Sequence, residues 1–144
     1  MSLDEIYAAI PHRPPFLLVD EIIECGEERI RCRKTFRDDE WFFGGHYPGH
    51  PITPGVILCE AAMQAGAILL KRFTPSLDQG LPVAARMNDV RFKRIVRPGE
   101  TIDIEVEMTN STSKAWYLKA RVRCEDKLAA RLEFTCTIAP PLES

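Results

Sequence analysis

The groups able to do chemistry lie close together in the chain. His46 sits in Gly45-His46-Tyr47-Pro48-Gly49-His50-Pro51-Ile52-Thr53-Pro54, a run whose glycines and prolines make a stiff turn. Gly55 to Leu70 follows, apolar at almost every position except Glu60 and Gln64. Those two are four residues apart, so they share one face of a helix. A helix apolar all round belongs inside a core, where a carboxylate rarely sits without a partner or a task. An imidazole and a carboxyl group are also the side chains best suited to moving protons near neutral pH. Read singly, His46 is a turn histidine bonded to backbone and Glu60 a satisfied core acid; their company argues for more. His50 reads as structural and His12 as a loop or packing histidine.

Composition narrows the classes. With 144 residues the chain makes a single domain, 1–144, able to bury a core of its own. Hydrophobic residues at 45% and charged residues at 28% are ordinary for a soluble globular protein. A net charge of -2 speaks against general nucleic-acid binding, which wants a basic excess. The Gly55–Leu70 run is short for a membrane span and carries Glu60 and Gln64, so no membrane segment is expected. No charged-then-apolar leader is read at the start. Cys25, Cys32, Cys59, Cys124 and Cys136 are odd in number and lack C-x-x-C spacing, which suits free thiols in a reducing cytoplasm and no zinc site. Cys59 is a poor nucleophile candidate, because neighbouring Glu60 disfavours a thiolate.

The elements that must position these residues follow from pattern. Leu3 to Ile10 is a short amphipathic helix, ended by Pro11, Pro14 and Pro15. Phe16 to Cys25 and Arg29 to Phe36 read as strands joined through Gly26-Glu27-Glu28. Thr53 is the expected N-cap of a helix running from Pro54 to about Arg72. Pro75 to Gly80 is an exposed loop. Leu81 to Ile95, Thr101 to Met108, Ala115 to Cys124 and Leu128 to Ile138 are further strands, and Pro140-Pro141 breaks up the tail. One long apolar helix with consecutive antiparallel strands makes an α+β domain. The helix is too apolar for one flat sheet face, so the sheet must curl around it or a second subunit must cover it.

The block from Gly45 to Gln64 resembles the signature of the 3-hydroxyacyl-[acyl-carrier-protein] dehydratases of the FabZ type, hot-dog-fold enzymes of bacterial fatty acid synthesis. Pro11-His12-Arg13-Pro14-Pro15-Phe16-Leu17-Leu18-Val19-Asp20 is similar to that family's N-terminal motif, and Val90 to Glu100 to its third segment. The resemblance implies a curved antiparallel sheet wrapped around a long central helix. It also implies a homodimer, in some members a trimer of dimers, with His46 from one subunit facing Glu60 of the other.

That resemblance gives the residues roles in converting a (3R)-3-hydroxyacyl thioester, carried on acyl carrier protein, to the trans-2-enoyl thioester. His46 would take the C2 proton and Glu60 would protonate the departing hydroxyl, although the two roles are interchangeable on sequence grounds. The N–H groups of Gly55 and Val56, at the positive end of the helix, would hold the thioester oxygen. Gln64 would orient Glu60 or hold a water. Arg91, Lys93, Arg94 and Arg97 form a solvated strand face or a docking patch for the acidic carrier. The chemistry needs no metal and no organic cofactor. The competing readings are a hot-dog acyl-thioester hydrolase, which would use Glu60 without aiming His46 at C2, and a non-catalytic acyl-binding or regulatory module, which would need neither group.

Overall fold

The computed structural model describes residues 3–47, 49–74 and 80–139; Pro48, most of the expected loop at 75–79 and the expected break at Pro140-Pro141 lie outside them. Helix α1 spans Leu3–Ala9 and buries Ile6. Arg13 turns back over its end, donating to the carbonyls of Ile10 and His12 at 2.8 Å each and of Tyr7 at 3.1 Å, with the guanidinium 4.3 Å above the Tyr7 ring. These bonds satisfy carbonyls that the helix end leaves open.

The expected strand from Phe16 begins only at Glu21: β1 is Glu21–Cys25. Leu17, Leu18 and Val19 are buried, as their apolarity demands, but the Leu17 N–H donates to Arg13 O and the Leu18 N–H to the Gln64 side chain. Those amides have partners outside any strand ladder, so the segment packs without joining the sheet.

Strands β2 (Arg29–Thr35), β3 (Leu81–Phe92), β4 (Thr101–Ser111), β5 (Ala115–Cys124) and β6 (Lys127–Ala139) complete a six-stranded antiparallel sheet in the order β1-β2-β4-β5-β6-β3. Alternation decides the faces: Ile102, Ile104 and Val106 of β4 point inward while Asp103 and Glu107 pair with Arg33 and Arg29 of β2 on the outside. Every strand pair except β2–β4 contains a register shift, and such bulges let a sheet bend sharply.

The inner face wraps α2, Gly55–Leu69, which continues as a 3-10 turn through Phe73 and packs on β2 through β6. Ile57, Leu58, Ala61, Ala65 and Leu69 are buried in the shared core with Phe36, Leu118 and Phe134. Thr53 does not cap this helix. Pro54 takes the N-cap position, the Thr53 N–H donates to Val96 O at 2.7 Å, and Thr53 Oγ1 is buried with no partner among the described residues. At Gly66 the Phe134 ring comes so close that a Cβ would stand 2.7 Å from it, so the small residue sets how tightly helix and sheet approach. Among the described residues no helix is long and apolar enough to cross a membrane.

Candidate active site

Glu60 stands in the second turn of α2, and its side chain is 24% exposed. Gln64, one turn on, is 1% exposed and fully engaged. Its Oε1 accepts the Leu18 N–H at 2.7 Å; its Nε2 donates to Phe16 O at 2.9 Å and to Glu60 Oε2 at 3.0 Å. The Leu18 N–H needs an acceptor, which settles the orientation of the amide, and both Nε2 hydrogens are then used. Gln64 thus ties the N-terminal segment to α2 and donates to the Glu60 carboxyl group. Among the described residues no hydrogen bond falls on Glu60 Oε1.

His12 lies on the same acid. Its Nε2 is 3.8 Å from Glu60 Oε2, and its Nδ1 is buried without a partner among the described residues. Burial holds its pKa below the usual imidazole value, with the Glu60 charge opposing that shift and Arg13 adding to it. From the sequence His12 reads as a loop or packing histidine. Its place in the Pro-rich segment carried the only signal, since nothing local tells that this segment lies across α2. Glu60, His12 and Gln64 border a cavity of about 290 Å³ whose walls include Ile10, Met63, Ala67, Val83, Ala84 and Cys136.

His46 is placed by different means. Tyr47 (φ 53°) and Gly49 (φ 90°) take left-handed backbone, and the His50 N–H donates to Tyr47 O at 3.0 Å, closing the turn. The run into it is anchored by Phe42 and Phe43, buried edge-on against Phe36. A buried pair missed in the sequence, Lys34 Nζ to Glu40 Oε2 at 2.8 Å, pins the loop before it, and the same Glu40 oxygen accepts the Arg37 N–H. The half-buried His46 ring has Nδ1 3.1 Å from Ile52 O. A carbonyl only accepts, so a neutral ring carries its proton on Nδ1 and leaves a lone pair on Nε2.

That ring opens into a cleft of about 830 Å³, bordered also by Gly55, Val56, Phe92, Lys93, Arg94 and Arg97. The Gly55 and Val56 N–H groups begin α2 and find no acceptor among the described residues. A Cβ on Gly55 would meet the Phe92 ring at 2.8 Å. The structure therefore brings His46, Gly55 and Val56 together, and Glu60 with Gln64, but in one chain His46 and Glu60 line different cavities.

The basic group divides likewise. Arg91 pairs with Asp89 at 3.0 Å; Arg94 donates to Cys124 O and pairs with Glu100 and Glu125; Lys93 and Arg97 are exposed at the cleft. All five cysteines are free, and burial pushes the Cys59 thiol up and that of Cys136 up to about 11, which disfavours a thiolate at either position.

The FabA-like domain family matches residues 10–133. Relatives named 3-hydroxyacyl-[acyl-carrier-protein] dehydratase FabZ include one from Petrotoga mobilis, 35% identical over 92% of this chain and 94% of its own. Another, from Aromatoleum aromaticum, is 40% identical over 96% and 97%. This chain belongs to the FabZ-type dehydratase family. Among solved structures, the dehydratase heterocomplex ApeI:P from Xenorhabdus doucetiae superposes with a TM-score of 0.78 at 18% identity, covering 93% of this chain and 90% of that one. That likeness bears on the fold, which is the expected hot-dog: an antiparallel sheet rolled around one helix.

Proposed function

We propose that this chain, a hydro-lyase of the FabZ type, removes water from 3-hydroxyacyl thioesters of acyl carrier protein during fatty acid synthesis. The observation that carries the mechanism is the cleft in which an oriented His46 and the free N–H groups of Gly55 and Val56 meet. A thioester placed there has its carbonyl oxygen at the positive end of α2, where the charge of an enolate would be held. His46 Nε2 takes the proton from C2. The acid that completes the reaction is Glu60 of a second copy, donating to the C3 hydroxyl as the C–O bond breaks, so that water and the trans-2-enoyl thioester leave. Base and acid each contribute a factor of roughly 10²–10⁴. The apolar cavity beside Glu60 takes the acyl chain.

The sheet edges support a dimer. β1 has five residues, two of them glutamates, whereas β3 is 12 residues long and exposes Val83, Met87 and Phe92. A long apolar edge strand invites pairing with its own copy unless something covers it. Lys93 and Arg97 at the cleft suit an acidic carrier, with Arg91 and Arg94 committed to internal pairs. The free thiols suit a cytoplasmic setting.

The test is complementation. His46→Ala and Glu60→Gln are each inactive alone; unfolded together and refolded, they form mixed dimers with one intact site. About a quarter of native activity then returns, since half the dimers are mixed and each has one good site of two. A mixture that stays inactive would show that the pair does not span two copies. Incubation with an enoyl thioester distinguishes the hydrolase reading: this proposal gives 3-hydroxyacyl thioester and no free thiol.

A further inference from the structure

His12 is held on Glu60 with more care than a packing residue requires. The segment bearing it is tied to α2 through both ends of the Gln64 amide, and its ring stacks on Phe16 at 6.5 Å and 17°. Arg13 is folded back onto α1 and so keeps its guanidinium on the carbonyls there. The buried Nδ1 of His12 has no acceptor among the described residues, so a proton placed on it would be an orphaned donor. The neutral ring therefore carries its hydrogen on Nε2, which faces Glu60 Oε2 at 3.8 Å. A contraction of under about 1 Å brings that pair to hydrogen-bond length, and catalytic contacts commonly tighten in this way when substrate binds. The Gln64 Nε2 occupies the same oxygen at 3.0 Å.

We propose that His12 is a positioning residue for Glu60: neutral, protonated on Nε2, it clamps Oε2 together with Gln64 and leaves Oε1 to meet the substrate. The inference rests on the reading of Glu60 as the catalytic acid. Among the described residues, the charged and titratable groups bordering the same cavity are Glu60 and Lys71 from the helix and its terminal turn and Cys136 from β6, and Arg13 acts on the ring from its own segment. Glu60 is the one whose charge favours a proton on His12.

The experiment compares full-length His12→Phe, His12→Gln and Glu60→Gln, with thermal melts as the control for folding. His12→Phe keeps a ring but loses the N–H; His12→Gln restores an N–H that does not titrate. The expected result is a kcat lowered about tenfold in His12→Phe with KM within about twofold, and most of the loss recovered in His12→Gln. Nitrogen-15 spectra of the imidazole in the native protein should show the proton on Nε2, and the His12 titration midpoint should fall further in Glu60→Gln. A proton on Nδ1, or a midpoint indifferent to Glu60→Gln, overturns the proposal even if His12→Phe fails to fold. His12→Phe that keeps full turnover while Glu60→Gln has lost it overturns the proposal alone. Glu60→Gln that keeps turnover overturns the reading of Glu60, and the proposal with it.

Discussion

Glu60 is held through a neighbour, Gln64, that a distant segment fixes in place, whereas His46 is set by a turn whose geometry is local. The carboxyl group receives the Gln64 amide, itself saturated by Phe16 and Leu18, with His12 alongside. Among the described residues the imidazole has a single carbonyl, Ile52 O, and it depends on left-handed backbone at Tyr47 and Gly49 to point it. One half of the proposed pair is finished inside the fold; the other is a stiff projection facing an open cleft. An acid in apolar surroundings needs fixed dipoles to hold it, since water is scarce there. A base on a surface turn needs only the right angle, and a second copy to close over it.

The largest expected effects would break the comparison outright. Glu60→Gln and His46→Ala should each lower kcat by roughly 10²–10⁴, measured on a 3-hydroxyacyl thioester, with the fold retained. Stability should separate the two regions next. Gln64→Ala leaves the Leu18 N–H buried and unpaired and the part-buried Phe16 C=O without its donor, and should cost about 1–3 kcal/mol in urea unfolding. His46→Ala removes one half-buried bond and should cost less than about 1 kcal/mol.

Two glycines of α2 sharpen the contrast at smaller scale. Gly66→Ala drives a Cβ into Phe134 and Leu118 within the core, about 1–3 kcal/mol of overpacking against a helix-propensity gain of about 1. Gly55→Ala meets only the exposed Phe92 ring, which can swing away, so its melting point should hold while the narrowed cleft slows turnover.

The smallest effect is one of pH. Burial lowers the His12 pKa, against Glu60 and with Arg13, so the folded chain binds fewer protons than the unfolded one once the pH falls below about 6.5. Stability from this group is complete above that value and declines as pH falls toward the lowered folded value. Urea midpoints at about pH 7.5 and about pH 5.5 should differ less in His12→Phe than in the native chain.

Most strands and the central helix were legible because period-2 and all-apolar patterns are local properties: Ile102, Ile104 and Val106 turn inward as their spacing demands. Two readings failed, and one ion pair went unread. Gln64 took the Leu18 amide from the expected strand, Pro54 stands at the N-cap while Thr53, tied to Val96 O through its N–H, leaves its Oγ1 without a partner among the described residues, and the buried Lys34 pairs with Glu40 beyond its own strand.

By itself, the sequence determined that an acid rides an apolar helix, that a histidine rides a glycine-proline turn just before it, and that an antiparallel sheet must curl around that helix or a second subunit must cover it. Only the tertiary structure decided that the two groups open into different cavities and that His12 comes to lie on Glu60. The physical reason is reach. Spacing along the chain sets which face of an element a side chain takes, but the curl of the sheet and the docking of the N-terminal segment set what that face meets.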